Sequence, residues 1–238
     1  MRSDGSEGSA RLTKQSFVAS AVCLAVFVGR ASSLGAQAPC AAHVDLGVHY
    51  RWQQKTDLSA VDRAPIRTTS VAQMLTWRAP GLSANDSSWC AERSGRERRV
   101  YHLTGWARRY KIESGAGDGD WHIELTGSKA GDIMRCIVVE IPPAASVDSI
   151  YWKARQDFLR VITLAGSTVN AGGDILPPVR VTVTGLAFFD GEHRGAEGTD
   201  KPPSGHGRCN SATSALWEIH PVYRIGAPLR SIRDTTLR

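Results

Sequence analysis

Two short stretches of this chain carry side chains that can do chemistry at the ends of predicted strands. Asp118-Gly119-Asp120 opens one run of alternating residues, and Arg135-Cys136-Ile137-Val138-Val139-Glu140 closes the next. Two or three carboxylates and one guanidinium are thereby expected near one end of a small sheet. Carboxylate oxygens suit hard cations such as calcium, and a guanidinium matches a phosphate bidentately. A second constellation is built on imidazoles: His122, His193 and His220, accompanied by Asp190, Glu218 and Glu140. Three imidazoles with a carboxylate can bind zinc, and they can equally supply a general acid and base. Other roles for the same residues stay open. Asp-Gly-Asp is commonly a turn, Glu140 can pair with a basic neighbour, and spaced histidines can orient loops through hydrogen bonds.

The elements that must position these groups follow from periodicity. Val100–Glu113 reads as a long strand with Gly105 at a bend or bulge. Trp121–Thr126 alternates as a half-buried strand does. Ile133–Ile141 is a third strand, stopped by Pro142-Pro143. A turn near Lys129 sets His122 roughly opposite Val138–Glu140. Asp148 can cap a helix to about Leu164 whose apolar face is Ile150, Ala154, Phe158 and Val161. Val179–Phe189 and Ala215–Ile225 complete five strands, separated by a Gly- and Pro-rich loop of roughly 20–25 residues. On the last strand Glu218 and His220 share a face. Strand, strand, strand, helix, strand, strand is the order of an OB-like five-stranded Greek-key barrel, a mainly β fold often used to bind oligonucleotides and oligosaccharides. An α+β sheet built of the same elements is the alternative.

Ahead of that domain, Arg11 and Lys14 precede an apolar run from Phe17 to Val28, and small residues follow from Ala31 to Ala38. That is the order of a secretory signal peptide over residues 1–38, which predicts a secreted or periplasmic protein. Of five cysteines, Cys40, Cys90, Cys136 and Cys209 then remain, and an even count in an exported chain suggests disulfides with three possible pairings. The whole chain has net charge +6, a mild excess that permits nucleic acid or another polyanion as partner without requiring one. No stretch after the leader is apolar enough to span a membrane. Residues 39–97 read as an N-terminal extension in which Thr69 caps a short helix through Trp77, and 227–238 as a tail. Arg93, Arg96, Arg98 and Arg99 alternate with Glu92 and Glu97 as a mixed-charge loop. Arg108, Arg109 and Lys111 with Trp106 and Tyr110 read as a solvated outer face, with a surface for single-stranded nucleic acid as the other possibility.

Asp118-Gly119-Asp120, Leu125, Arg135 and Val139-Glu140-Ile141-Pro142 together resemble the core motif of the thermonuclease (staphylococcal nuclease-like) family of OB-folds. The resemblance covers roughly 30 residues. It implies that Asp120 and Glu140 hold a calcium ion and that Arg135 grips a scissile phosphate. The chain departs from that motif at Trp121, where the family has Thr, and at Pro143, where it has a water-activating Glu; the family's second arginine, found after the helix, has no counterpart in a matching motif here. His122 is then the substitute base. More diffusely, Asp118–His122, Glu140–Pro142, Phe188–His193 and Glu218–Val222 resemble strand ends that recur in an uncharacterised group of exported bacterial OB-like proteins. The expected catalytic residues are thus Arg135, Glu140 and His122. The expected ligands of a divalent metal, calcium or zinc, are Asp120, Glu140, Asp190, His193 and His220. Three functions fit: binding of a ligand or polyanion at a polar barrel-end site, metal-dependent phosphodiester hydrolysis at an altered active site, and a non-catalytic envelope interaction domain.

Overall fold

The computed structural model describes residues 50–80, 91–113, 118–147, 149–194 and 206–228. The proposed leader, Cys40, Cys90 and Asp148 lie outside them. The fold is mainly β. Seven strands are present among the described residues: β1 (Arg67–Ser70), β2 (Val100–Ile112), β3 (Trp121–Thr126), β4 (Cys136–Ile141), β5 (Thr168–Val169), β6 (Asp174–Phe189) and β7 (Trp217–Gly226). Three α-helices accompany them among the same residues: α1 (Trp52–Thr56), α2 (Val71–Met74) and α3 (Ile150–Leu164). The sheet runs β1-β2-β3-β4-β7-β6-β5, and an additional β2–β6 pairing bends it into a partly closed ring. The neighbours are antiparallel except β1 with β2 and β4 with β7.

Alternation decides what each face carries. Ile123 and Leu125 of β3, Ile137, Val139 and Ile141 of β4, Ile219 of β7, and Val181, Val183 and Phe189 of β6 all join one apolar cluster. The intervening residues, His122, Glu124, Glu140, Glu218 and His220, point the other way and are nevertheless buried. A sheet that is covered on both faces needs a second layer, and residues before β2 supply part of it. Val71, Met74 and Trp77 belong to the main apolar cluster, whereas Arg51 and Lys55 are buried polar groups. Residues 50–80 thus contribute a strand and core side chains, beyond the short helix read from sequence. That helix is capped by Ser70, which accepts from Gln73 N, and not by Thr69.

Other boundaries shifted for local reasons. The β2 irregularity falls between Ala107 and Arg109. Gly105 serves close packing instead, since a Cβ there would stand 3.3 Å from Leu125 Cβ, Thr126 O and Val71 Cγ2. Ser149 caps α3 by accepting from Trp152 N at 3.1 Å. Ile150 is exposed, and the buried face is Ala154, Phe158, Val161 and Ile162. β6 begins at Asp174 because its first residues pair with β5 and with Arg109 of β2. β4 starts at Cys136, three residues later than expected, after a turn in which Arg135 N bonds Asp132 O. Ala215 lies in a 3-10 turn just ahead of β7.

Candidate functional site

Register brings the charged residues together. His122 pairs directly with Glu140 across β3–β4, Val139 lies beside Ile219 across β4–β7, and Phe188 faces Glu218 across β6–β7. His122, Glu140, Glu218 and His220 therefore gather at one end of the ring, on the outward face of β3, β4 and β7, and Asp190 joins them from the turn that follows β6. A barrel-end site was expected, but alternation sets it opposite the apolar interior.

The contacts form a continuous chain. Glu140 sits between two imidazoles, with Oε1 2.9 Å from His122 Nδ1 and Oε2 2.9 Å from His220 Nδ1. His220 Nε2 stands 3.1 Å from Asp120 Oδ2. Glu218 Oε2 is 3.4 Å from His220 Nδ1, and Glu218 Oε1 is 2.6 Å from His206 Nε2. Asp190 Oδ2 is 2.6 Å from His193 Nδ1. Three groups hold ligand atoms within 4.8 Å of one another: Asp120 with Glu140 and His220, Glu113 with His122 and Glu140, and Asp190 with His206 and Glu218. Lys55 of α1 reaches into the same cluster, with Nζ 3.3 Å from Asp118 Oδ2.

Local structure fixes each member. Asp118 Oδ1 accepts Asp120 N at 3.0 Å and Gly119 takes φ 81°, an Asx turn of the kind this triplet favours. Arg155 of α3 donates to Gly119 O at 2.8 Å and Ile141 O at 3.0 Å, clamping the loop that carries Asp120 against the end of β4. Behind the cluster, the buried Arg93 guanidinium donates to the carbonyls of Glu97, Ala187 and His220 at 3.3, 2.6 and 2.7 Å, and also to Gln54 O. Arg51 makes a bidentate pair with the equally buried Glu97. The mixed-charge reading of 92–99 accordingly fails for Arg93 and Glu97, because buried backbone carbonyls and a buried guanidinium required these partners.

The segment carrying His206 is tied down twice. Cys209 forms a disulfide with Cys136 at the start of β4. Arg208 binds Glu124 of β3 through Nε at 2.6 Å and through its backbone N at 3.0 Å, and it reaches Asp174 at 2.8 Å. Between them Gly207, at φ 58°, lies so close to β3 that a Cβ would meet Glu124 Oε1 at 2.6 Å and His122 Nε2 at 2.9 Å.

Charge balance sets the protonation preferences. Burial pushes Lys55 down, but the charges of Asp190, Glu140, Glu218 and Asp118 hold it well above 10.5. Burial likewise lowers His220, and is outweighed by Asp120, Glu140 and Glu218, so it stays well above 6.5. Burial opposes ionisation of Glu140 too, yet hydrogen bonds from His122 and His220 and the charges of His220 and Lys55 keep it well below 4.5. Asp120 goes the other way. Burial dominates, the attraction of His220 offsets only part of it, and the carboxyl is pushed up to about 7. His193 is held at about 9 because its bond to Asp190 outweighs its burial.

Asp120 is also the least satisfied member. It is fully buried, and neither carboxylate oxygen has a hydrogen-bond partner; His220 Nε2 and His122 Nε2 have none either. The 3.1 Å approach of Asp120 to His220 is thus an ion-pair distance without hydrogen-bond alignment.

Of the residues singled out from sequence, Asp120, His122, Glu140, Asp190 and His220 lie in this cluster. His193 stands at its rim, with its side chain about one-third exposed. Arg135 lies elsewhere: it is exposed, just before β4, on the order of 16 Å from Glu140 along an extended strand. Glu113, His206 and Lys55 were missed. The only sequence signal for His206 was Cys209 three residues on, which was legible as a disulfide partner able to pin a loop. No protein-family model matches the chain, and neither does any curated protein.

Proposed function

We propose that the chain is an exported OB-like domain whose polar site binds a divalent cation, and that the ion's open positions receive an anionic ligand. The OB-like part of this reading is supported by the five-membered ring β2-β3-β4-β7-β6, by the parallel pairing of β4 with β7, and by the position of α3 between β4 and β6 along the chain. The outward face of the second and third ring strands, which holds the cluster, is also the face with which OB-folds bind ligands. Export is supported by the Cys136–Cys209 disulfide.

One observation carries the cation: the buried, unsatisfied Asp120 carboxylate beside His220 Nε2. An orphaned buried polar group costs on the order of 1–3 kcal/mol, and more when charged. A tetrahedral zinc ion bound by one oxygen and one nitrogen would space them about 3.3 Å apart, close to the 3.1 Å found. The other His220 nitrogen meets Glu140 at 2.9 Å, the carboxylate–imidazole arrangement that orients metal-bound histidines. Imidazoles among the donors favour a zinc-like ion over calcium. The phosphodiesterase alternative would keep the cation but also needs a guanidinium on the phosphate. Arg135 is not beside the cluster, so the reading stops at binding.

A second reading has an observation of its own. His122 and His220 both lie against Glu140 with raised proton affinity, so protons alone can neutralise the carboxylates and make the cluster a polar structural core. Elemental analysis of the folded, oxidised protein, followed by calorimetric titration with zinc and calcium, separates the two. Zinc bound near one equivalent, with proton release and loss of binding in Asp120→Asn, supports the cation. The absence of metal, with no affinity below millimolar, leaves the proton-filled core.

A further inference from the structure

Away from the cation cluster, a cavity of about 300 Å³ opens where β1 meets the start of β2, and three guanidiniums line it: Arg67, Arg96 and Arg99. No carboxylate is among its lining residues. Several arginines elsewhere are paired with carboxylates, as in Arg51 with Glu97, Arg208 with Glu124 and Asp174, and Arg160 with Asp157. Arg67, Arg96 and Arg99 have no acidic partner among the described residues. Three like charges around one space repel one another unless an anion enters it.

The cavity is also held in shape. Arg96 precedes and Arg99 closely follows Glu97, whose carboxylate is buried, accepts Phe189 N at 3.0 Å and closes a capping box with Ser94. The turn that presents the two arginines is therefore anchored by its one acidic residue pointing inward. Arg67 is fixed by parallel register opposite Tyr101. The Arg96 guanidinium lies 4.8 Å from the centre of the Trp77 ring, a cation–π contact that leaves its N–H edge for a ligand. Gln73 Oε1 already accepts from Thr69 Oγ1 at 3.1 Å, so its amide NH₂ remains available to donate. Trp77 and Tyr101 are buried, and Trp77 packs on Tyr101 and Trp217. Their rings form a floor and offer no open face for stacking a nucleobase.

The geometry points to a second binding site, separate from the cation cluster, for a small molecule bearing phosphate or sulfate groups. A tetrahedral oxyanion matches forked guanidinium donors, and the volume lies at the lower end of small-ligand pockets, larger than one bare phosphate requires. This inference does not rest on the cation.

Pyrophosphate is the probe, titrated calorimetrically into the full chain with chelator present, and again into Asp120→Asn so that no bound metal can capture it. Binding is expected in both backgrounds and should weaken at higher salt. Arg67→Gln, Arg96→Gln and Arg99→Gln should each weaken it roughly tenfold or more. Arg180→Gln, on a strand face outside this cavity, should leave it unchanged. Arg67 and Arg96 are exposed, so unchanged thermal unfolding of their variants will show that the fold is intact. Absence of pyrophosphate binding at millimolar concentration overturns the proposal, as does binding indifferent to all three arginines. A single-stranded oligonucleotide that binds more tightly through the same arginines overturns the small-molecule assignment.

Discussion

Replacing Asp120 by Asn should act in opposite directions with and without metal. The carboxyl is fully buried and is held at about 7 against an ordinary 3.8. At about 1.4 kcal/mol for each tenfold change in proton affinity, its ionised form costs the metal-free native state about 4 kcal/mol at pH 8. Asparagine keeps the shape and removes that cost, in which the attraction to His220 is already included; its own unpartnered buried amide gives back about 1–3 kcal/mol, so a net stabilisation of about 1–3 kcal/mol is expected. Because the folded-state value lies above the unfolded one, the folded protein binds this proton more tightly. The stability so gained is complete below about pH 4 and is lost as pH rises through 7. His220, raised above 6.5, loses its contribution in the same direction. Metal-free wild type should therefore weaken from pH 4 to 8, and Asp120→Asn should weaken less. With zinc at a hundred times its dissociation constant, wild type should gain about 2.7 kcal/mol, or roughly 5–11 °C in Tm, and the variant nothing. Denaturant unfolding at several pH values, with chelator and with zinc, reads all of these. A variant less stable than wild type at pH 8 without metal, yet still stabilised by zinc, would refute the reasoning at both ends.

Two further perturbations test the frame around the cluster. Arg93→Met strands the carbonyls of Gln54, Glu97, Ala187 and His220 and should cost about 3–5 kcal/mol in urea unfolding; a loss below about 1 kcal/mol would mean that these carbonyls find other donors. Cys209→Ser opens a bridge that spans 73 residues, worth about 4.4 kcal/mol by chain entropy. It should also lower zinc affinity by loosening His206, so unchanged affinity in an otherwise destabilised variant would detach that loop from the site.

How far the sequence could be read depended on whether a signal was local. The β3–β4 pairing was legible because antiparallel partners sum to a constant, which alone sets His122 near Glu140. Glu218 and His220 followed from alternation alone. Arg135 was misplaced as a partner for Glu140 because a motif lists residues in order and says nothing of how far an extended strand carries them apart; the two stand five positions apart, with four residues between them. Lys55 and Arg93 carried no periodic signal whatever. Lys55 sits in a helix of only five residues and Arg93 in an irregular segment, and only the tertiary fold shows that these long cationic side chains point inward. Glu113 was read as a strand end; its backbone N donates to Asp120 O one step past the last β2–β3 pair, which brings its carboxylate 3.5 Å from His122 Nδ1.

The buried position of Lys55 explains why residues before β1 belong to the site. Glu113, Asp118, Asp120, Glu140, Asp190 and Glu218 crowd one face, and a face so charged cannot close without countercharge. Lys55 supplies one positive charge that is permanent near neutral pH, since its neighbours hold it well above 10.5. The balance must be made up by protons on His122, His193 and His220 or by a bound cation, and these compete for the same lone pairs. Affinity for the cation should therefore climb with pH as the imidazoles and Asp120 give up their protons. The same competition separates the two readings of the cluster, since a structural core is indifferent to zinc at pH 8 whereas a cation site is most avid there.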